Sequence, residues 1–424
     1  MASLMLGIDF SKTDMQIGIW NEEKTCADVY RFPDYMGGEI IPTMVIANEE
    51  GKLLVAKEAL DYGIKMQKHG ITSLYGNLSN DTMELGGVET NVNEVFAYYL
   101  QEILSSIRKR YGSASIARIG ITGERMTEEK KAHLAEIMES IGYSSERLFF
   151  ASHADAVLWY EICEGTKGGS MTLDFDSKGM VAYLVNSGNE ELDIPYYVET
   201  IDYSSLMPGA LSGIIDEEER KNCFTNITEL AIARKAISRL YVTGTIVETP
   251  GINQILGRFF NTGRRIFTGR SLYCLGACYL AVKEKLTKKA IGDNQIFHNV
   301  SLEAYEDAIV HQVPLLKAGT PLPRAGAEIQ VILDDTKEMK FQIEDVRTAE
   351  AIHCTLHPEE FYCSENKTLR LEIQARFLDY ETLVLKIRDV GFGDIRPATY
   401  RVWEQIVNLG YGGTPYGKIN CNNR

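Results

Sequence analysis

The stretch LMLGIDFSKTDMQIGIW, from Leu4 to Trp20, is the part of the sequence on which the fold prediction depends. Apolar residues at alternate positions lie on both sides of a short polar turn, which is typical of two antiparallel strands joined as a hairpin. The turn opens with Asp9 and runs through Ser11, Lys12 and Thr13. Because a tight turn can direct backbone N–H groups at an anion, the sequence poses the question whether this turn holds a phosphate.

The composition is that of a soluble globular protein, since 45% of the 424 residues are hydrophobic and 24% are charged. This length allows two or three domains. No apolar run is long enough for a membrane-spanning helix, and the first residues do not have the pattern of a secretory signal. The eight cysteines contain no CxxC pair, which indicates free thiols in a reducing compartment. We therefore predict a cytoplasmic location and no membrane insertion.

The net charge of −15 argues against nucleic acid as a partner. An acidic protein repels a phosphate backbone unless lysines and arginines form a local basic face, and no such block is present. The sequence also lacks a convincing metal-ligand spacing, so we predict no metal site of that kind.

The pattern of a strand followed by an aspartate turn returns at Asp174, in MTLDFDSKGM, and another strand ends in VTGT at 242–245. Two similar units that each open with an aspartate hairpin predict a duplicated α/β fold. We predict helices from Val92 to Arg110 and over roughly 226–240. From about residue 290 strict alternation dominates, as in LRLEIQARF at 369–377, which predicts half-buried strands of an antiparallel sheet. We predict three regions: 1–289, with lobes 1–168 and 169–289; a β-rich domain at 290–405; and a flexible tail at 406–424.

The order of these motifs resembles the actin-like ATPase superfamily, which has a ribonuclease H-like fold, and most closely its DnaK-type heat-shock chaperones. GIDFSKTD looks like their first phosphate hairpin, MTLDFDSKGM stands where the second phosphate loop would be, and VTGTIVETPGINQILGRFF takes the place of the adenosine loop. LRLEIQARFLDYETLVLKIRD resembles a hairpin of their substrate-binding β-sandwich. FFASHADAVLWY and NTGRRIFTGRSLYCLGACYLA are similar to patterns in a family of uncharacterised, truncated chaperone-like bacterial proteins with degenerate phosphate loops.

The resemblance implies an α/β duplicated actin-like ATPase fold followed by a mainly antiparallel β domain. It also implies a nucleotide site in which Asp9 and Asp174 would hold water on a magnesium ion. The residues that the resemblance places at this degenerate site are Asp9, Ser11, Lys12, Thr13, Asp174, Ser177, Lys178, Gly179 and Gly244.

The phosphate loops depart from the family pattern at the positions where glycine lets the backbone approach an anion. Ser11 takes one such position, and Asp176, Ser177 and Lys178 replace a glycine run of which Gly179 remains. A carboxylate about 4 Å from a triphosphate costs roughly 4 kcal/mol at a surface-like dielectric, or about a thousandfold in affinity.

Two further substitutions bear on the site. His153 replaces a glutamate of the chaperone pattern, and we interpret it as a hydrogen-bonded structural group. Lys12 and Lys178 are new cations, which are either exposed turn residues or direct phosphate contacts.

These observations predict a chaperone-like protein with weak or absent binding of ATP or ADP with magnesium, and little or no hydrolysis. We assign no catalytic residue. A protein or peptide partner would bind the β domain by strand addition. One alternative is an ATP-binding ATPase with altered phosphate loops that use Lys12 and Lys178, and another is a self-assembling structural or scaffold protein that forms oligomers.

Overall fold

The computed structural model divides into two compact units, of which the first comprises Met1–Ser187 with Val198–Lys288 and the second Gly188–Tyr197 with Lys289–Arg424. The last division, after Lys288, lies one residue before the boundary that we placed after residue 289. The segment Gly188–Tyr197, which we had assigned to the second lobe, belongs instead to the second unit. The structure describes residues 3–32, 38–164, 168–176, 179–189, 191, 193–207, 216–260, 263–283, 288–306, 309–333, 338–356 and 367–409.

We keep the names first lobe and second lobe for the parts of the first unit up to and after residue 168, and describe β13 with the second lobe although its first two residues, Tyr196 and Tyr197, belong to the second unit. The strands of the first lobe are β1 Ser3–Phe10, β2 Asp14–Asn21, β3 Cys26–Val29, β4 Ile41–Pro42, β5 Val45–Ala47, β6 Leu53–Val55, β7 Thr82–Leu85, β8 Val88–Asn91, β9 Ser115–Gly123 and β10 Leu148–Phe150. Its helices are α1 Ala56–Met66, α2 Val92–Arg110, α3 Glu128–Ser140 and α4 His153–Cys163.

The main sheet of the first lobe has the strand order β10-β9-β1-β2-β3, and β4 pairs with β2. β1 and β2 form the antiparallel hairpin that the opening stretch predicts. β9 runs parallel to β1, and β10 runs parallel to β9. β1 is almost entirely buried, because it lies in the middle of the sheet.

The second lobe repeats this arrangement. Its strands are β11 Gly169–Phe175, β12 Met180–Asn186, β13 Tyr196–Asp202, β14 Ile237–Thr243 and β15 Arg265–Thr268, and its helices are α5 Glu217–Ile232, α6 Ile252–Gly257 and α7 Leu272–Ala281. These strands have the order β15-β14-β11-β12-β13. β11 and β12 form an antiparallel hairpin, while β14 runs parallel to β11 and β15 to β14. Five strands of each six-stranded sheet therefore follow one pattern: a hairpin, a third strand beyond it, and two parallel strands on the other side.

The bounds that we predicted for one helix of the second lobe are wrong. We expected a helix over 226–240, whereas α5 spans Glu217–Ile232. The helix begins early because the side chain of Asp216 accepts a hydrogen bond from the backbone N–H of Glu219, and acidic residues of the first turn favour the helix N-terminus. Ile237 already belongs to β14.

The helices α4 and α7 pack against each other and against the sheets. α7 lies on β1, β2 and β9 of the first lobe, although it follows β15 of the second lobe along the chain. Glycines permit this close approach, since a Cβ atom on Gly120 would lie 1.8 Å from the carbonyl oxygen of Ala277. A Cβ atom on Gly276 would lie 1.9 Å from the carbonyl oxygen of Ala156 in α4. Among the described residues, no helix combines the length and apolar character needed to cross a membrane.

The second unit is rich in antiparallel strands. Its strands are β16 Ala290–Ile291, β17 His298–Glu306, β18 Ile309–Leu316, β19 Gly326–Ile332, β20 Met339–Asp345, β21 Glu350–Leu356, β22 Arg370–Phe377, β23 Thr382–Asp389 and β24 Val402–Asn408. All of these except β16 form two four-stranded sheets, with the orders β18-β17-β20-β21 and β19-β22-β23-β24. Tyr196 and Tyr197, at the start of β13, pair with β16.

Buried residues from both sheets make up one hydrophobic core. In β22 the predicted inward residues Leu371, Ile373 and Phe377 are buried, which confirms the alternation inferred for this strand. β24 continues to Asn408, so the tail predicted to start at residue 406 is wrong for its first three residues, which belong to this edge strand. The predicted tail from residue 410 onward lies outside the described residues.

Candidate functional site

The two hairpin aspartates occupy equivalent places in the two lobes. Asp9 lies near the end of β1 and Asp174 near the end of β11, each followed by a phenylalanine. Both phenylalanines are fully buried: Phe10 packs against aromatic rings of the first lobe, and Phe175 against the ring of Phe224. Because successive strand residues point to opposite faces, this burial turns each aspartate to the other face of its sheet.

Asp9 is bound by a histidine from the first turn of α4. The Nε2 atom of His153 lies 3.0 Å from Oδ1 of Asp9, and since a carboxylate only accepts, the ring nitrogen is the donor. Ser152 caps α4 through a reciprocal hydrogen-bond pair with Asp155, which positions the histidine that follows. His153 is thus a hydrogen-bonded group, as we interpreted it from the sequence.

The environment of His153 favours its charged form. Burial lowers the pKa of the imidazole, but the charge of Asp9 and the hydrogen bond to it act in the opposite direction, as do the charges of Asp174 and Glu124. The net effect is a pKa above the ordinary value. A histidine that retains its proton places a positive charge beside Asp9.

Asp174 is bound by a tyrosine from the first turn of α7. The hydroxyl of Tyr273 donates to Oδ2 of Asp174 over 2.6 Å, and Tyr273 is 4% exposed. Burial raises the pKa of Asp174, opposed by His153 and by this hydrogen bond, while the charges of Asp176 and Asp9 raise it further. Burial and the nearby Asp174 carboxylate raise the pKa of Tyr273 well above its ordinary value, so the phenol stays protonated and donates.

The two aromatic side chains stack on each other. The ring centroids of His153 and Tyr273 are 3.7 Å apart and the ring planes differ by 4°. A continuous chain of side-chain contacts therefore runs from Asp9 through His153 and Tyr273 to Asp174. We call these four residues the aspartate bridge.

The first predicted phosphate turn is closed by its own groups. The backbone N–H of Ser11 donates to the carbonyl of Asp14 over 2.9 Å, and the backbone N–H of Asp14 donates to Oγ of Ser11 over 3.1 Å. The Thr13 hydroxyl donates to the Asp14 carboxylate. Lys12 is exposed, and its carbonyl accepts from the hydroxyl of Ser73. The N–H groups of Ser11 and Asp14 thus form hydrogen bonds within the turn, so these two amides are not available to bind a phosphate.

The second predicted phosphate turn is closed in the same way. The backbone N–H of Asp176 donates to the carbonyl of Gly179 over 3.0 Å, and the backbone N–H of Gly179 donates to Oδ1 of Asp176 over 3.1 Å. A Cβ atom on Gly179 would lie 1.9 Å from Oγ of Ser204, so the close approach of this serine accounts for the glycine. Ser177 and Lys178, which we also predicted at the site, lie outside the described residues.

Gly244 lies directly beside Asp174. Its φ of 84° falls in the left-handed region, and a Cβ atom there would lie 2.7 Å from Oδ1 of Asp174 and 2.4 Å from the carbonyl oxygen of Phe175. The glycine therefore allows the chain after β14 to pass close to the end of β11. The hydroxyl of Thr245, the next residue, accepts from Arg220 of α5.

The structure thus brings Asp9 and Asp174 into one chain of contacts, with Gly244 against Asp174. Sequence reasoning missed Tyr273, the residue that binds Asp174. One signal was available: apart from Tyr273 and Tyr279, the segment LYCLGACYLA carries no polar side chain other than cysteine, and a tyrosine buried in such a helix needs a partner for its hydroxyl.

The described residues do not fit a magnesium nucleotide in this arrangement. Asp9 and Asp174 each accept from a side chain of the protein itself, and the turn amides of Ser11 and Gly179 are engaged. In the part of the chain that the structure describes, no group of three or more His, Cys, Asp or Glu side chains could hold a metal ion.

Comparison with known families divides the chain close to the start of the second unit. The model described as "Family of unknown function (DUF5716) C-terminal" matches residues 38–297, and the model described as "Domain of unknown function (DUF8552)" matches residues 295–409. No curated protein matches the sequence. Because the first match covers more than half of the 424 residues, the chain belongs to the DUF5716 C-terminal family.

Proposed function

We propose that this protein is a chaperone-like relative of the actin-like ATPases with a degenerate nucleotide site and little or no ATP hydrolysis, and that it binds a protein or peptide partner through its second unit. The aspartate bridge is the observation that carries this proposal. The motif order in the sequence and the strand order shared by the two lobes support the actin-like assignment. We further propose a cytoplasmic location.

The bridge competes with a nucleotide for the same carboxylates. A magnesium nucleotide that used the same oxygens, Oδ1 of Asp9 and Oδ2 of Asp174, would have to break the bonds to His153 and Tyr273. A hydrogen bond to a charged group contributes about 1.5–3 kcal/mol. Two such bonds would thus weaken nucleotide binding by roughly 3–6 kcal/mol, or about a hundredfold to ten-thousandfold.

Calorimetric titration of the full chain with Mg-ATP and Mg-ADP tests the proposal. We expect no saturable heat at micromolar nucleotide. Micromolar affinity together with phosphate release would favour the alternative ATPase, in which Lys12 and Lys178 take over from the glycine loops. Under that alternative, Lys12→Ala would weaken binding, whereas Lys52→Ala, at an exposed lysine on another turn, would not.

The partner site that we propose is the outer edge of β18. This strand ends its sheet among the described residues, and the side chains of Ile309, Val310, His311 and Gln312 are all exposed, on both faces of the strand. An edge without Asp, Glu, Lys or Arg over this segment can accept an added strand through its backbone groups. Pro314, further along β18, lacks the N–H that such pairing needs.

A peptide array probed with the full chain tests the partner site. We expect extended peptides to bind. Val310→Lys should weaken peptide binding more than Ile406→Lys does, although the side chain of Ile406, on the edge strand β24, is also exposed. If no peptide binds, this part of the proposal fails. An apparent molar mass from light scattering that rises with protein concentration would favour the self-assembling alternative.

A further inference from the structure

The two lobes of the first unit exchange helices. α7 follows β15 of the second lobe yet packs on β1, β2 and β9 of the first. α4 follows β10 of the first lobe and contacts β12 of the second. The two helices cross closely at Gly276, where no Cβ atom separates the helix from the carbonyl of Ala156. The relative position of the helices therefore sets the relative position of the lobes.

The aspartate bridge lies at the first turns of these two helices. His153 is the first residue of α4, and Tyr273 is the second residue of α7. Each ring is held at two points, by a hydrogen bond to an aspartate and by the face of the other ring. Tyr183 of β12 packs edge-on against the ring of Tyr273, with centroids 6.4 Å apart. Movement of one lobe relative to the other would break the stack or one of the two hydrogen bonds.

We propose that the aspartate bridge, with the His153–Tyr273 stack at its centre, is a latch that holds the two lobes in one arrangement without any ligand. This inference rests on the proposed function, because a nucleotide bound at the two aspartates would displace the same contacts. The latch makes the first unit a rigid support, whose lobes do not move relative to each other in response to a nucleotide.

The latch predicts that a substitution in one lobe changes the backbone hydrogen exchange of the other lobe. Tyr273→Phe retains the stacked ring but removes the bond to Asp174 in the second lobe. His153→Gln retains a donor for Asp9 in the first lobe but removes the stack. We expect Tyr273→Phe to speed backbone hydrogen exchange in the β1–β2 hairpin, and His153→Gln to speed it in the β11–β12 hairpin, each by about tenfold in the full chain.

Leu240→Ala is the matched control. Leu240 is fully buried in the core of the second lobe and takes no part in the aspartate bridge. The control should speed exchange in β14 and leave the β1–β2 hairpin within about twofold of the unsubstituted protein. In urea unfolding, the two latch substitutions should also be coupled, so that the unfolding constant of the double variant is about fivefold to tenfold below the product expected from the single variants.

Exchange that rises only in the substituted lobe, with no coupling in urea, would overturn the latch. Calorimetry on the unsubstituted protein separates this result from failure of the proposed function. If no nucleotide binds and exchange stays local, the latch alone fails; if Mg-ADP binds at micromolar concentration, the proposed function fails and the latch fails with it.

Discussion

His298 should make the second unit sensitive to mild acid. The side chain is 3% exposed and stacks on the ring of Phe377. Its Nδ1 atom has no hydrogen-bond partner, and its Nε2 atom lies 3.9 Å from a carboxylate oxygen of Asp345, which already forms two hydrogen bonds with the guanidinium of Arg347. Burial lowers the pKa of His298 to about 4; Asp345 opposes this shift and Arg347 adds to it.

The direction of the pH effect follows from which state binds the proton. Between pH 6.5 and about pH 4 the unfolded chain protonates His298, whereas the folded protein keeps it neutral. The unfolded state binds more protons in this range, so the free energy of unfolding falls as the pH falls. At about 1.4 kcal/mol per pKa unit, the loss approaches roughly 3 kcal/mol below pH 4 and is about 2 kcal/mol at pH 5.

Urea unfolding at pH 7 and pH 5 measures this loss. Trp403 packs against the core of the second unit and can report its unfolding once Trp20 and Trp159 of the first unit are replaced by phenylalanine. We expect His298→Leu to remove about 2 kcal/mol of the pH dependence, while other titrating groups contribute equally to both proteins. If the stability difference between the two proteins is the same at both pH values, the reasoning is refuted.

Three further predictions concern other parts of the chain. Gly276→Ala should destabilise the first unit by at least about 2 kcal/mol, since the added methyl group would meet a backbone carbonyl; an unchanged melting temperature would contradict the close crossing of α4 and α7. Asp389→Ala should cost about 3 kcal/mol in urea unfolding, because it leaves the Thr399 hydroxyl and a backbone N–H without their buried acceptor; a loss below about 1 kcal/mol would argue that water replaces the carboxylate. Ile309→Lys should change the urea midpoint little, since the side chain is 60% exposed, and yet weaken peptide binding; a large loss of stability would show that the edge of β18 is covered.

Local patterns in the sequence determined much of the secondary structure. The helix predicted from Val92 to Arg110 has those bounds in the structure. The side chain of Asn91 caps its first turn, and the basic residues of its last turn favour the helix C-terminus. The alternation in LRLEIQARF predicted the buried face of β22, although Glu372 of the opposite face is also buried, against the guanidinium of Arg388. Such features depend on residues only a few positions apart, which a single sequence displays directly.

The sequence also identified both aspartate hairpins, but the tertiary structure decided what binds the aspartates. Asp9 and His153 are 144 positions apart, and Asp174 and Tyr273 are 99 positions apart. The partner of Asp174 reaches it because α7 crosses to the sheet of the other lobe, and no local spacing predicts that crossing. Asp176, which we expected to repel a triphosphate, has its carboxylate directed to the N–H of Gly179.

The physical reason for this division is the range of the forces involved. Turn chemistry, capping and apolar periodicity act within a few residues, so the sequence by itself determined the hairpins, the alternating strands and the helix α2. The stacking of His153 on Tyr273 depends on how closely two helices approach, and that distance is set by strand glycines and helix contacts spread over the whole first unit. Only the folded chain brings these together, and so only the tertiary structure decided that the two aspartates bind the protein's own side chains.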